Sequence, residues 1–423
     1  MRKKRIVILG AGFAGLRTAL DLAKRIKDIP GYEIILIDKR SVHMYTPDLY
    51  EIATAFVDDI NDECLTELRE TVAIKIPTII KRKPITFIHD KVLELDPKKK
   101  TIGLKKRKAK LKYDHLVLAL GSVSNYYGIP GLKQFSYPLK TVKHAIVINC
   151  HIDQYFQVLW KKGVKKEVNF VIGGGGATGV EFAGELQSLI KKLCKKYGYP
   201  RSKVKITLIQ GSGELVGAGK SFSKKIEKRL KSHRVKIMLN TFITGAEAGK
   251  VTIKPKKGRA KKIPSDMMIW AGGVKPHPLI TRCKLKCNKY GAVEVDEFLQ
   301  AKHYKNTYAA GDSAEFIDPK TERQAPWLAQ VAEAQGVVLA KNIIANLNDQ
   351  PLTTYKVRIK GIIIPVVGRY AIFKSGGGKL MFSGSQFWLL RRLVDLRYAL
   401  KLLPFHKAVH KWWHATNIFL KND

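Results

Sequence analysis

Arg5-Ile6-Val7-Ile8-Leu9-Gly10-Ala11-Gly12-Phe13-Ala14-Gly15 is the stretch that decides the fold. Ile6 to Leu9 form an unbroken apolar run that reads as a strand. A glycine turn follows and opens a helical stretch, after which Tyr32-Glu33-Ile34-Ile35-Leu36-Ile37-Asp38 reads as a second strand. In Gly10-x-Gly12-x-x-Gly15 the first glycine permits a tight turn, the second lets backbone approach a pyrophosphate, and the third allows close helix packing. Phosphates then rest on the amides and positive end of the helix. The spacing alone is a weak signal, and the strand before it and helix after it supply the confirming context. A tight turn without a ligand is the plainer alternative. Asp38 ends the second strand where a carboxylate accepts hydrogen bonds from a ribose, which fits an adenosine lacking a 2′-phosphate.

The unit occurs twice. Asn169-Phe170-Val171-Ile172, the glycines Gly173 to Gly176, Ala177-Thr178-Gly179, a helical stretch and Lys203 to Gln210 repeat strand, turn, helix and strand. Gly174-x-Gly176-x-x-Gly179 reproduces the turn, but the acidic strand end is replaced by Gln210. An amide still bonds a ribose and no longer repels a phosphate. A third element, Asn306-Thr307-Tyr308-Ala309-Ala310-Gly311-Asp312, is a short strand ending in Gly-Asp. Such a segment suits a flavin, whose ribityl and pyrophosphate need a carboxylate and close backbone. Two nucleotide folds and a late Gly-Asp imply FAD and a nicotinamide nucleotide in one chain.

Length and charge frame this reading. The 423 residues suffice for two to three domains, and 77 Lys+Arg against 35 Asp+Glu leave a formal charge of +42. Basic runs at Lys98 to Lys100, Lys105 to Lys112, Lys161 to Lys166, Lys191 to Lys196 and Lys254 to Lys262 are spread through the chain. No helix-turn-helix, zinc-finger or RNA-binding signature accompanies them, so no specific nucleic-acid partner is expected. A solvated lysine-rich surface or attraction to an anionic bilayer accounts for the charge. No run reaches the 18 apolar residues of a membrane-spanning helix. Met1-Arg2-Lys3-Lys4-Arg5 begins like a signal peptide, but the apolar run dissolves into glycines without a cleavage pattern. Five cysteines in no framework spacing suit a reducing compartment.

Together the motifs resemble the two-dinucleotide-fold flavoprotein disulfide-reductase superfamily, and within it type II NADH:quinone oxidoreductases. The similarity spans nearly the whole chain. It is carried by His43 to Thr54, Tyr113 to Gly121, Gly176 to Leu186 with its Gly-Val-Glu-x-Ala-Gly-Glu, Trp270 to Val274, and Ala329 to Gly336 with its Ala-Gln-x-Ala-x-x-Gln. The resemblance implies an α/β protein with two Rossmann-like domains. A discontinuous FAD domain would cover 1–140 and 275–350, with an NAD(P) domain at 141–274 inserted and a membrane-associating region at 351–423 following. Gly10, Gly12, Gly15, Asp38, Thr46, Pro47, Gly121, Gly311 and Asp312 would hold FAD. Gly174, Gly176, Gly179 and Gln210, with Gly272 and Gly273 near the nicotinamide end, would hold NADH or NADPH. Glu181 would orient the nicotinamide, and Ala329, Gln330 and Glu333 would line the pocket of a membrane quinone. The plainer alternatives are a helix-dipole carboxylate for Glu181 and a surface amide for Gln330. The implied reaction takes hydride from NAD(P)H and passes two electrons to the quinone without pumping protons. The sequence departs from the family at Gln210, where NADH-using members carry glutamate, and at Trp327-Leu328, where threonine is usual before Ala-Gln.

Three rival functions compete with this reading. Disulfide-reducing relatives need a C-x-x-C or C-x4-C pair, which is absent; Cys283-x3-Cys287 is the only close pair and lacks further metal ligands nearby. Sulfide:quinone oxidoreductase would need thiols near the flavin to carry sulfur and typically has no working nicotinamide site, and a flavoprotein whose job is binding nucleic acid or a membrane partner would bind DNA, in a salt-sensitive way, at least as tightly as a membrane. From Gln386 the pattern becomes amphipathic. Leu389, Leu393, Leu396, Leu400 and Leu403 form a stripe flanked by Arg391, Arg392, Asp395, Arg397 and Lys401. After Pro404 a second stripe comprises Phe405, Val409, Trp412, Thr416 and Phe419, with Lys407, His410, Lys411 and His414 opposite. Apolar stripes with cations opposite describe helices lying in a bilayer interface; packing on the body or a homodimer contact is the alternative. The expected location is the cytoplasmic face of the cell membrane, as a peripheral protein.

Overall fold

The computed structural model describes residues 3–26, 29–58 and 61–422. Met1 and Arg2 of the basic N-terminal stretch lie outside the described residues. Packing divides the chain into two units, Met1–Met44 with Ile74–Val123 and Val274–Ile359, and Tyr45–Ala73 with Ser124–Gly273 and Lys360–Asp423.

The first unit is built on a six-stranded sheet in the order Gln300–Ala301, Tyr304–Ala309, His115–Leu118, Lys4–Leu9, Tyr32–Asp38, Ile85–His89. All neighbours are parallel except the Gln300–Ala301 edge. Ile6 to Leu9 are wholly buried, because parallel strands are covered by crossovers on both faces. Leu9 stands level with Ile37 and Leu118, and Leu118 with Ala309. The strands therefore end together, and Gly10, Asp38, Gly121 and Gly311 gather at one carboxyl edge, the edge at which open α/β sheets bind ligands. The Phe13–Arg25 and Ala329–Leu347 helices cross closely there. A Cβ on Gly336 would lie 2.6 Å from Ala14 O, so only glycine permits that approach.

The second unit repeats the plan with a five-stranded parallel sheet, Tyr137–Pro138, Met267–Trp270, Val168–Gly173, Val204–Ile209 and Val235–Met238. The Ala177–Lys196 helix starts from its glycine turn. An antiparallel sheet of Gly361–Pro365, Ala371–Ser375 and Met381–Gly384 leads into the Ser385–Leu402 and Phe405–Leu420 helices. This C-terminal part is fastened to the second fold through Arg229, whose guanidinium donates to Val366 O at 3.3 Å and Val367 O at 3.1 Å. No described helix is long and apolar enough to cross a membrane.

The C-terminal helices differ from the expected arrangement in an instructive way. On Ser385–Leu402 the stripe is turned outward, Leu389 being 50% and Leu393 44% exposed, while Arg391 and Arg392 are buried. The arginines thus face protein, not water or lipid headgroups. On Phe405–Leu420 the stripe is largely covered: Thr416 and Phe419 are buried, and Trp412 Nε1 donates to Arg392 O at 2.7 Å. Of its large apolar side chains, Phe405, 74% exposed, and the off-stripe Trp413, 60% exposed, remain open.

Candidate active site

The two glycine turns are superposable in logic. A Cβ on Gly10 would lie 2.2 Å from Ala119 O, and one on Gly15 1.9 Å from Gly10 O. In the second turn the corresponding distances are 2.5 Å from Gly174 to Ala271 O and 1.8 Å from Gly179 to Gly174 O. Those four glycines are demanded by the protein's own backbone. Gly12 and Gly176 are not: their φ values of −76° and −69° suit any residue, and a Cβ on either meets nothing within 4 Å. Each caps a helix and leaves the space over its first amides accessible to an approaching group. A side chain there would obstruct only something approaching from outside, which is what a pyrophosphate does.

Strand ends complete each cradle. Asp38 Oδ2 accepts from Ala11 N–H at 2.8 Å, and Oδ1 from Arg40 N–H at 2.9 Å. In the second unit Gln210 Oε1 accepts from Gly175 N–H at 2.8 Å, so the amide fastens its turn just as the carboxylate does. Its Nε2 donates to Ser212 Oγ at 2.7 Å and Glu214 O at 3.3 Å. Gly272 and Gly273 follow the Met267–Trp270 strand; a Cβ on them would strike the Trp270 ring and Tyr127 Oη, each at 2.3 Å.

Around the first cradle the late Gly-Asp is held by neighbours that pattern reading overlooked. Gly311 N–H donates to Gln335 Oε1 at 2.7 Å, Gly121 N–H donates to Ser313 Oγ at 3.0 Å, and Ser122 Oγ donates to Asp312. The His43 ring meets Ala11 O at 2.8 Å and Phe13 edge-on at 5.4 Å. Gln335 and His43 lie inside quoted segments, so their position in the motif was the available signal. Ala329, Gln330 and Glu333 start the Ala329–Leu347 helix on its half-exposed side, whereas Gln335 is buried. All four belong to the first unit.

Thr46 and Pro47 form a 3-10 turn in the second unit, running into the Leu49–Ala53 helix. Glu181 is buried early in the Ala177–Lys196 helix. Burial pushes its carboxyl well above the ordinary range; Arg391 opposes this, and Asp48 and Glu51 add to it. Asp48 and Glu51 receive Arg391 and Arg392 from the C-terminal helix, more than 300 residues away in sequence. The thiols are poor nucleophiles: burial pushes Cys194 and Cys287 up to about 11, and Cys283 Sγ donates to Ile280 O.

Two parallel sheets, each with a glycine cradle at its carboxyl edge, define a dinucleotide-binding protein of the Rossmann type. The profile of the pyridine nucleotide-disulphide oxidoreductases matches residues 4–336, and the chain belongs to that family. It is similar to the type II NADH:quinone oxidoreductase of Staphylococcus aureus, with 27% identity over 406 residues, 95% of this chain and 96% of the relative. Its fold is like that of NDH2 from Plasmodium falciparum, solved in complex with NADH, with a TM-score of 0.83 and 19% identity over 99% of this chain and 98% of the other. The sulfide:quinone oxidoreductase of Aquifex aeolicus shares the fold less closely, with a TM-score of 0.76 and 21% identity over 99% and 92%.

Proposed function

We propose that the chain is an FAD-dependent NADH:quinone oxidoreductase of the type II class, working at a membrane surface without pumping protons. The observation that carries this is the pair of open cradles, at Gly12 beside Asp38 and at Gly176 beside Gln210. FAD would lie in the first, held by Gly10, Gly12, Gly15, Asp38, Gly121, Gly311 and Asp312, and would supply the chemistry of accepting a hydride and giving up two electrons. NADH would lie in the second, against Gly174, Gly176, Gly179, Gln210, Gly272 and Gly273. In functional terms the FAD domain is then 1–140 with 275–350, the nucleotide domain 141–274, and the surface-binding region 351–423.

Glu181, with its carboxyl biased toward the neutral form, can donate an O–H to the nicotinamide carboxamide and hold the ring in place. Gln330 offers an amide N–H to a quinone carbonyl, with Ala329 and Glu333 beside it on the same helix side. Gln210 keeps its turn in place and presents no negative charge, so NADPH is also a substrate. The leucines facing outward on Ser385–Leu402 supply the surface that a bilayer would cover, on the cytoplasmic side.

Anaerobic stopped-flow mixing of the yellow protein with NADH, NADPH and sulfide, one at a time, tests the reading. Bleaching within seconds by a nicotinamide nucleotide is expected. Bleaching by sulfide alone would make the chain a sulfide:quinone oxidoreductase instead, an outcome that the raised Cys194 and Cys287 thiols argue against.

A further inference from the structure

The second cradle has a neighbour from a different sheet. Thr241–Glu247, Lys250–Pro255 and Lys261–Pro264 form a three-stranded antiparallel meander. Its inward residues Ile243, Val251 and Ile253 join Val171 and Ile209 of the parallel sheet in one core cluster. Alternation along the strand then sends Phe242 outward, where it stays 51% exposed. Backbone bonds fix that position beside the strand end that carries Gln210. Gln210 N–H donates to Met238 O at 2.9 Å, Thr241 N–H to Gln210 O at 3.0 Å, and Asn240 N–H to Ser212 O at 3.0 Å. Gly211 follows Gln210, and a Cβ there would lie 2.7 Å from Phe242 Cε1. The ring therefore lies against the backbone one residue beyond the ribose-binding position, in room that the missing side chain leaves.

Cations gather on the same outer face. Lys254 is the cross-strand partner of Phe242, and directly opposed residues of an antiparallel pair share a face. Two residues on, Lys256 N–H donates to Asn240 O at 2.7 Å, which ties the end of that strand to the same segment. Lys254 and Lys256 are exposed and make no ion pair among the described residues. Glu247, the one carboxylate between residues 241 and 264, is taken by Lys262 at 2.7 Å.

An aromatic face and unpaired cations beside a ribose site are what an adenosine bearing a 2′-phosphate needs. Any base stacks on such a ring through its π-face, and lysine receives a phosphate as a point charge. Resting on the function proposed above, we propose that Phe242 is the platform on which the adenine of the nicotinamide nucleotide stacks, and that Lys254 and Lys256 are the cations that receive the 2′-phosphate of NADPH. These determinants lie outside the unit of strand, turn, helix and strand, so the choice of nucleotide is shared between Gln210 and the meander. A plainer role for Phe242 is to cover Gly211 and the stem of Lys254. The two roles respond differently to substitution.

The test is the affinity of the full-length, FAD-loaded protein for ADP-ribose and for ADP-ribose 2′-phosphate, titrated by calorimetry. Neither ligand carries a nicotinamide, so no turnover enters. Phe242→Leu keeps apolar bulk against Gly211 and removes the aromatic face; it should weaken both ligands about tenfold, and Phe242→Tyr should bind both as wild type does. Replacing Lys254 and Lys256 together by glutamine should weaken the 2′-phosphate about tenfold more than ADP-ribose, with the difference shrinking as salt rises. Unaltered affinities in Phe242→Leu would leave the ring as packing alone and overturn the platform. Equal losses of both ligands in the lysine variant, or none, overturn the phosphate site. Bleaching of the wild-type flavin by NADH is the separate control: its failure overturns the function on which the proposal rests, whereas normal bleaching with unchanged affinities overturns only the proposal.

Discussion

Gln210→Glu isolates a single charge at the strand end of the second cradle. Gln210 Oε1 already accepts from Gly175 N–H, and a glutamate oxygen keeps that bond. The other oxygen cannot donate to Glu214 O, but the Ser212 hydroxyl, which donates to that carbonyl at 2.9 Å, can turn to the new carboxylate. The two Nε2 donations and the Ser212 bond to Glu214 O give way to one charge-assisted bond, on an exposed loop where water can reach the freed carbonyl, so the fold should lose about 1–2 kcal/mol. The effect falls on the nucleotide. A carboxylate about 5 Å from a 2′-phosphate charge is repelled by roughly 1 kcal/mol in water and about 3 kcal/mol at an effective dielectric of about 20. Gln210 is half-exposed, which selects the lower end, about 1.4 kcal/mol or tenfold in kcat/KM. Wild type should use NADH and NADPH within about tenfold of each other, and the variant should favour NADH by about tenfold more, chiefly through NADPH. The assay is kcat/KM for both nucleotides at one fixed ionic strength, because salt screens the basic surface. Wild type that rejects NADPH by about a thousandfold would refute the reasoning and move attention to Glu214.

Gly15→Ala and Gly179→Ala each place a Cβ under 2 Å from a turn carbonyl; the first should empty the protein of flavin, and the second should abolish bleaching by NADH while the yellow colour persists. Gln330→Ala should raise the KM for quinone more than that for NADH, and equal effects would remove Gln330 from the quinone pocket. Deleting the chain after Gly384 strips Asp48 and Glu51 of their guanidiniums, a loss of roughly 3–5 kcal/mol for a broken buried pair, so the truncated protein should unfold readily. Replacing exposed Leu389, Leu393 and Leu400 with serine should release it from anionic vesicles with bleaching by NADH intact; a truncated chain as stable as the full one contradicts the pairing. Burial holds His115 down at about 4, below its unfolded value, so its contribution is full above about pH 6.5 and is lost as pH falls toward 4. The drop in urea midpoint between pH 7 and 5 should shrink in His115→Phe, and an unchanged drop would assign acid sensitivity elsewhere.

The cradles were legible because their chemistry is local: spacing, strand before and helix after are contiguous in the chain, and the fold followed from reading that unit twice. Asp38 and Gln210 were legible for the same reason, and each proved to be bonded to the middle residue of its turn. Gln335 was passed over because a helix wheel does not show a side chain reaching the Gly311 amide. The C-terminal helix was read by its leucines, on the rule that arginines go outward. Asp48 and Glu51, distant in sequence, reverse that rule by making burial of Arg391 and Arg392 tolerable. No periodicity carries that information, since it depends on which partner waits at the other end of the chain.

The opposed faces of Ser385–Leu402 have a consequence for how such a protein diverges. Leu389, Leu393 and Leu400 stand in the open, and nothing in the protein's interior constrains their size or branching. Arg391 and Arg392 are each committed to specific oxygens and leave almost no latitude. Were that outer side the surface a bilayer covers, as proposed above, substitutions could accumulate there to suit a different lipid environment while the inner side stays unchanged. Change at the surface is then separable from the internal ion pairs, although both are written into one eighteen-residue helix.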